Sequence, residues 1–177
     1  MAEQRTGNPM SLLHQNILPS KIQPKTIRLD ASTYCQLKCP CCPTASGKIK
    51  SSLGSGFLEF NNFKNLIEAN PSIMEIEWSN WGEVFLNPQL ILMMEYAYKK
   101  NIRLTVGNGA NLNTVTPEVL EALVKYKLRY ITCSIDGVSQ KTYQQYRVGG
   151  NIEQVRLLQN PSLCPLEAGH SEGFCKV

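Results

Sequence analysis

The chain has 177 residues, of which 42% are hydrophobic and 18% are charged, and its formal net charge is +4. That size allows one domain with a sizeable core but not two full domains. No stretch approaches the roughly 20 apolar residues of a membrane span, and no run of Lys and Arg with interleaved aromatic residues predicts a nucleic-acid surface. The start, residues 1–25, is polar and has no apolar signal core. We interpret it as the flexible lead-in of a cytoplasmic protein.

The first predicted element is a strand over Thr26–Ala31, where apolar and polar residues alternate. A cysteine-rich loop follows. The segment Gly47–Gly56 is rich in Gly, Ser and Lys, which predicts a further loop. Phe60–Ala69 then places its large apolar residues on one stripe, which predicts a helix.

The same order of strand and helix recurs along the chain. Alternating apolar residues predict strands over Ile73–Ser79, around Ile102–Val106 and around Ile131–Ile135. Helices are expected to begin at residues of the N-cap type, namely Asn87, Thr116, Ser139 and Asn151. Repeated strand–helix alternation predicts an α/β fold with a parallel sheet.

Four of the seven cysteines crowd into the loop after the first predicted strand. Cys35, Cys39 and Cys42 have the spacing Cys-x3-Cys-x2-Cys, while Cys41 adjoins Cys42 and is poorly placed to bind a separate corner of a cluster. Three thiolates can hold three irons of a four-iron cluster and leave the fourth iron open to a substrate or cofactor. On spacing alone, a structural zinc site completed by a distant Cys or His and ordinary buried thiols stay open as alternatives. A secreted disulfide framework would spread its cysteines more evenly.

Polar residues follow the ends of the other predicted strands. In parallel sheets, the functional edge lies where the carboxyl ends of the strands meet the following loops. Besides the cysteines, the residues expected at that edge are Asn80, Trp81, Gly82, Glu83, Asn108, Gly109, Ser134 and Asp136. Residues far apart in the sequence are thus predicted to converge on one rim.

Four motifs in this order resemble the radical S-adenosylmethionine superfamily. They are CQLKCPCC after the first predicted strand, WGE after the second, GNG after the third and SIDG after the fourth. The segment TYQQYRVGGN that follows is similar to the subgroup whose members often carry a C-terminal cysteine-rich extension (SPASM-type) for auxiliary clusters. The resemblance spans residues 27–158 and strongly favours iron–sulfur over zinc. It implies a partial (β/α) barrel in which about four of six strand–helix units are legible.

The resemblance also implies a chemistry. Cys35, Cys39 and Cys42 would bind a 4Fe-4S cluster whose open iron is chelated by the amino and carboxylate groups of S-adenosylmethionine. One electron would cleave the cofactor and give a 5'-deoxyadenosyl radical that abstracts hydrogen from a substrate. The electron would come from a donor such as flavodoxin or ferredoxin. The substrate is unknown, and a peptide or protein is the expectation from subgroup analogy.

Cofactor-binding roles at the rim follow from the same resemblance. Glu83, with the Gly82 backbone, would accept hydrogen bonds from the cofactor's ammonium group, against the alternative of a solvated loop glutamate. Arg147 would pair with the cofactor's carboxylate, against the alternative of a surface helix residue. Ser134 would contact the cofactor. Asn108 would reach the ribose hydroxyls, although Asn-Gly is also a turn signal.

Two residues at this rim differ from the family pattern, and a third is expected to have a structural role. Cys41 stands where the family commonly places an aromatic residue that packs on adenine, and Trp81 stands where it often has a second glycine before the glutamate. Both are departures from the family pattern. Asp136 precedes Gly137 and is expected to form a turn rather than to act as a ligand.

The pattern decays after the predicted core over 26–159, and no fifth strand is predicted in the irregular or disordered tail over 160–177. An open edge at the fourth strand would leave ladder groups unpaired, so we expect the chain to be a truncated or partial form of a longer enzyme. Cys164, His170 and Cys175 are a remnant of an auxiliary-cluster extension, half of a zinc site, or part of a disordered tail. Two functions stay open: a radical enzyme, and a non-catalytic zinc- or cluster-binding module or inactive fragment.

Overall fold

The computed structural model describes residues 23–158 and 175–176. Its strands form one sheet in the order β1-β2-β3-β4-β5, and every neighbouring pair is parallel. The strands are β1 (Thr26–Arg28), β2 (Glu75–Glu77), β3 (Arg103–Ala110), β4 (Tyr130–Cys133) and β5 (Cys175–Lys176). The order in the sheet is therefore the order in the sequence, as in a (β/α) barrel.

In the described part of the chain, four α-helices occupy the connections between the first four strands, and two more follow β4. They are α1 (Lys48–Leu53), α2 (Phe60–Ala69), α3 (Leu90–Lys99), α4 (Pro117–Lys125), α5 (Gln140–Tyr146) and α6 (Ile152–Leu158). Helix α3 packs against both α2 and α4. The predicted α/β fold, a partial barrel of repeated strand–helix units, is confirmed, and the barrel is not closed over the described residues.

One predicted loop is wrong. The segment Gly47–Gly56 contains helix α1, which the Gly and Ser content obscured. Two glycines with positive φ bound this helix, Gly47 before it and Gly54 after it. Ile49 anchors it because its side chain is buried. A single apolar contact between two glycine boundaries is thus enough to set one short helix.

The predicted helix starts are confirmed in most cases. Thr116 accepts a hydrogen bond from the N–H of Val119, and Ser139 forms a capping box with Thr142. Asn87 differs, because α3 begins two residues after Pro88 and Asn87 lies outside the helix. Its buried side chain instead binds the backbone of two other segments.

The core lies between the sheet and the helices. From the strands, Ile76, Val106 and Ile131 point into it and are almost completely buried. Phe63 of α2 and Trp78 after β2 meet there with their ring centroids 5.9 Å apart. Burial of each such large side chain stabilises the fold by roughly 2–3 kcal/mol. This core fixes the positions of the strand ends that carry the rim residues.

The ends of the chain lie largely outside the described residues. That applies to residues 1–22 of the predicted lead-in, and to Cys164 and His170 in the tail. Cys175 lies in β5, a two-residue strand beside Ile131 and Thr132 that the sequence pattern did not predict. Among the described helices, none has both the length and the apolar character needed to cross a membrane.

Asn87 provides a test of how the loops are held to the core. Its Nδ2 donates to the carbonyl oxygens of Ala31 at 2.7 Å and Leu58 at 2.9 Å, and its Oδ1 accepts from the N–H of Gln89 at 2.8 Å. We expect Asn87→Ala to lower the free energy of unfolding by about 3 kcal/mol in urea denaturation, because buried carbonyls lose their donors. Exposed Asn62 is the matched control. Asn62→Ala should change stability by less than about 0.5 kcal/mol, and an equal loss in both variants would contradict this assignment.

Candidate functional site

The cysteine loop follows β1 and lies at the carboxyl ends of the strands. Cys39 is 6% exposed, Cys35 and Cys42 are half-buried, and Cys41 is exposed. The loop is tied internally, because Cys42 N–H donates to Cys39 O at 3.1 Å. It is also tied to the connection after α5, because Lys38 N–H donates to Val148 O at 2.9 Å. Cys41 is thus the most exposed of the four loop cysteines, and its predicted place outside the ligand set stays a prediction.

Gly82 joins the loop after β2 to the cysteine loop. Its φ is +74°, and a Cβ at this position would lie 2.4 Å from Ser32 O and 2.7 Å from Tyr34 O. Both atoms belong to the backbone, so neither can move aside as a flexible side chain would. Only glycine fits here, and the residue is needed for packing whatever else it binds.

Glu83 is buried at 3% exposure, so the alternative of a solvated loop glutamate is wrong. Its Oε2 accepts from the N–H of Asn111 at 2.8 Å, and its Oε1 accepts from the N–H of Phe85 at 3.3 Å. Burial raises the pKa of Glu83 to about 7, although these two N–H groups and the charge of Arg147 oppose the rise. The site therefore holds a carboxyl group that ionises near neutral pH.

Arg147 is not a simple surface residue, since its side chain is 20% exposed. Its Nε donates to Asp136 Oδ2 in an ion pair, and its Nη1 lies 3.7 Å from Cys39 Sγ. Asp136 thus orients the guanidinium rather than acting only as a turn former. The structure brings Cys39 and Glu83 together at the rim predicted for the strand ends, and it adds Arg147, which follows α5 rather than a strand.

Asn108 and Ser134 lie on the neighbouring strands of the rim. Asn108 is inside β3 rather than in a turn, and its Nδ2 donates to Ser79 O at 2.8 Å. Gly109 has φ +103°, and a Cβ there would meet Ser134 Oγ at 2.3 Å. Asn108 therefore contacts Ser79, in the residue pair that follows β2, and Ser134 Oγ lies against Gly109 of β3. The predicted cofactor contacts of both side chains stay predictions.

Asn111 is a site residue that the sequence analysis missed. It follows β3 and is 3% exposed. Besides its backbone bond to Glu83, its Oδ1 accepts from Gln36 Nε2 at 2.8 Å and its Nδ2 lies 3.9 Å from Cys35 Sγ. The strand was predicted to end near Val106, whereas it runs to Ala110. The signal in the sequence that could have identified Asn111 is its position as a polar residue directly after the last residue of β3.

Glu77 is a second missed residue, and it joins β2 to β3. Its carboxylate accepts from Ser79 Oγ at 2.5 Å, from Thr105 Oγ1 at 2.7 Å and from Gly107 N–H at 2.9 Å. Burial opposes ionisation, but these donors outweigh it and lower the pKa of Glu77. Ser79 Oγ in turn accepts from the N–H of Asn108 at 2.7 Å. Glu77 thus holds the end of β2 against β3, the strand in which Asn108 lies.

The donor set suits an iron–sulfur cluster. Burial raises the pKa of the Cys35 thiol to about 11; the N–H of Leu37 opposes the rise, whereas the charges of Glu83, Cys39 and Cys42 add to it. The three loop cysteines therefore lie close enough to affect one another, and a bound metal would stabilise their thiolate forms. Within the described ranges, no three His, Cys, Asp or Glu side chains surround a point that could hold a single metal ion. A four-iron cluster does not require such a point, since each thiolate binds a different iron.

The chain is similar in sequence to a curated protein. No protein-family model matches the chain. Over 125 residues the chain is 27% identical to the AdoMet-dependent heme synthase of Methanosarcina barkeri, a match that covers 70% of the chain and 34% of that protein. The chain therefore spans about a third of the length of this curated relative.

Three solved structures have a similar fold. BtrN, solved in complex with AdoMet and 2-DOIA, aligns with a TM-score of 0.54 at 14% identity, over 75% of the chain and 54% of BtrN. Streptococcus suis SuiB gives 0.57 at 16% identity, over 75% of the chain and 28% of SuiB. The chain resembles the radical S-adenosylmethionine superfamily in both sequence and fold. Methylornithine synthase (PylB) gives 0.53 at 14% identity, over 74% of the chain and 39% of PylB. At identities this low, the likeness to these three structures shows the fold alone.

The buried carboxyl of Glu83 makes stability depend on pH. Its pKa is raised from 4.5 to about 7, so the protonated form favours folding below pH 4.5 and this contribution is lost as the pH rises through 7. Because one pKa unit corresponds to about 1.4 kcal/mol, the expected loss across this window is about 3 kcal/mol. In iron-free protein, the free energy of unfolding should therefore fall as the pH rises from 4.5 to 7. Glu83→Gln should remove this contribution to the slope.

The titration of Glu83 is distinguished from other effects of the substitution by the slope and by a control variant. Glu83→Gln will also shift stability by an amount that does not vary with pH, so only the difference in slope counts. Glu59 is exposed, and Glu59→Gln should keep the wild-type slope. Parallel curves for wild type and Glu83→Gln would show that Glu83 is not the titrating group.

Proposed function

We propose that this chain forms the core of a radical S-adenosylmethionine enzyme in which Cys35, Cys39 and Cys42 hold a 4Fe-4S cluster. The observation that carries the proposal is the placement of Arg147 Nη1 3.7 Å from Cys39 Sγ, at the same rim as buried Glu83. A cation and a carboxyl group thus flank the cysteine loop. S-adenosylmethionine carries a carboxylate and an ammonium group, which are complementary to this pair.

When bound, the cluster would supply one electron that cleaves the carbon–sulfur bond of S-adenosylmethionine to methionine and a 5'-deoxyadenosyl radical, which abstracts hydrogen from the substrate. Glu83 is well suited to receive the ammonium group. Each of its oxygens accepts one backbone N–H, which leaves a further lone pair on each oxygen. An ammonium beside it would favour its ionised form. Burial keeps water from competing for that contact.

Arg147 is suited to hold the carboxylate of the same cofactor. Its Nε is engaged by Asp136 and its Nη1 faces Cys39. A guanidinium has five N–H donors in a planar fork, so donors remain for a carboxylate. Asp136 would keep the fork in one orientation. We assign Ser134 and Asn108 to the remainder of the cofactor because both lie at the adjoining strand ends.

Two partners follow from this chemistry. The cleavage consumes one external electron, and we assign it to an electron-carrier protein such as flavodoxin or ferredoxin.

A reducing compartment such as the cytoplasm would keep the loop cysteines as thiols. For the substrate we propose a peptide or protein, by analogy with the subgroup that the TYQQYRVGGN segment resembles.

The ligand assignment is tested by replacing two cysteines of the same loop. Wild-type protein reconstituted with iron and sulfide without oxygen should bind about four irons per chain and yield 5'-deoxyadenosine after reduction. Cys39→Ala should lose both the iron and the product, because the cluster loses one ligand. Cys41→Ala is the matched control, and it should retain both because Cys41 is exposed.

The other outcomes of this experiment are equally informative. Wild-type protein that takes up a single zinc ion and no iron would favour the zinc-binding module over the enzyme. A stable cluster with no 5'-deoxyadenosine would favour a cluster-binding, non-catalytic chain. Iron retained by Cys39→Ala would refute the assignment of Cys39 as a ligand.

The role of Arg147 is tested with a substitution that keeps its charge. Arg147→Lys should weaken binding of S-adenosylmethionine to the reconstituted protein by about tenfold in equilibrium dialysis, because an ammonium cannot reproduce the planar fork. Arg156, a half-exposed residue that pairs with Glu153, provides the control, and Arg156→Lys should bind normally. The iron content of both variants has to match the wild type. Normal cofactor affinity in Arg147→Lys would remove Arg147 from the cofactor site.

A further inference from the structure

We propose that Asn111 is a positioning residue that joins the sulfur of Cys35 to the carboxyl group of Glu83 and raises the reduction potential of the cluster. The inference rests on the proposed function, because Cys35 has to be a cluster ligand. Nothing in the family motifs pointed to this residue. Its placement follows from the end of β3 and from its contacts.

Asn111 makes contacts on both sides of the site. Its backbone N–H donates to Glu83 Oε2 at 2.8 Å. Its side-chain Nδ2 lies 3.9 Å from Cys35 Sγ, within range of a hydrogen bond to sulfur. One residue therefore connects the first cysteine of the loop with the carboxyl group that we assign to the cofactor's ammonium.

A purely structural role explains only half of these contacts. Asn111 Oδ1 accepts from the N–H of Asn113 at 3.0 Å, which is the turn that asparagine commonly forms after a strand. The same oxygen accepts from Gln36 Nε2 at 2.8 Å. Asn111 Nδ2 also donates to Gln36 Oε1 at 3.4 Å, so the two amide groups are paired in both directions. This pairing fixes the orientation in which Nδ2, the donor end of Asn111, also faces the Cys35 sulfur. A turn alone would not require that orientation.

The donor has a direct consequence for a bound cluster. Hydrogen bonds to cluster sulfurs stabilise the extra negative charge of the reduced state and so raise the reduction potential. Arg147 Nη1 faces Cys39 Sγ at 3.7 Å and acts in the same direction. Two of the three proposed ligand sulfurs thus have side-chain N–H donors. The Asn111 amide is the uncharged donor of the two. Its effect on the reduction potential can therefore be separated from the effect of a positive charge.

The reduction potential of the reconstituted protein tests the inference without using catalytic activity. We expect Asn111→Ala to bind about four irons per chain with a lower midpoint potential. A tenfold loss of the reduced form at a given potential corresponds to a fall of about 59 mV in the midpoint potential for one electron. Asn113→Ala is the matched control, because the Asn113 side chain bonds the backbone of Asn111 as well as Tyr143 and the backbone of Asn151. It therefore disturbs the same turn without removing the N–H donor that faces the Cys35 sulfur. Its midpoint should equal that of the wild type.

A second variant covers the case in which Asn111→Ala fails to fold. Asn111→Asp keeps the acceptor for Gln36 and Asn113 but places an oxygen instead of an N–H group beside Cys35. Its midpoint should fall further than that of Asn113→Asp, which adds the same charge two residues away. A wild-type midpoint in Asn111→Ala, or equal shifts in the two aspartate variants, would overturn the inference. A wild type that binds no iron would instead overturn the proposed function.

Discussion

The close approach of Gly82 to the backbone of residues 32–34 is the constraint on which the site depends. Neighbouring parallel strands deliver their following loops to the same edge, but that alone leaves the loops separate. Here the two loops are in backbone contact, because Glu83 N–H donates to Tyr34 O at 2.6 Å. A side chain at position 82 would force them apart. The cysteine loop and the buried carboxyl group are therefore positioned by one glycine.

The burial of Glu83 is tolerable because the chain supplies partners for it. The N–H groups of Asn111 and Phe85 compensate part of the loss of water, and Arg147 contributes an opposite charge. The compensation is incomplete, as the raised pKa of Glu83 shows. A buried carboxylate is stabilised more strongly by a nearby cation than an exposed carboxylate is, because charges interact more strongly where water is excluded. The same arrangement that costs stability at neutral pH would thus favour the ammonium group that we propose binds there.

The sequence predicted the repeating fold well because periodicity reports which residues are buried. It predicted helix α2 at Phe60–Ala69 and the caps at Thr116 and Ser139, all of which are local signals. It failed where a local signal was ambiguous. Asn-Gly is a common turn pair, yet Gly109 lies inside β3, at a register irregularity between Val106 and Ala110 in its pairing with β4. That error hid Asn111. The contact of Arg147 with Cys39 spans 108 positions, and no periodicity reports it.

The alternation within β2 indicates that helices cover one face of this sheet rather than both. Parallel sheets covered by helices on both faces consist of nearly continuous apolar strands. In β2, buried Ile76 is flanked by half-exposed Glu75 and Glu77. Glu75 forms ion pairs with Arg103 and Arg129, which a second layer of helices would have to desolvate. Over the described residues, one face of this sheet therefore packs on helices, while the other carries polar side chains that pair with one another.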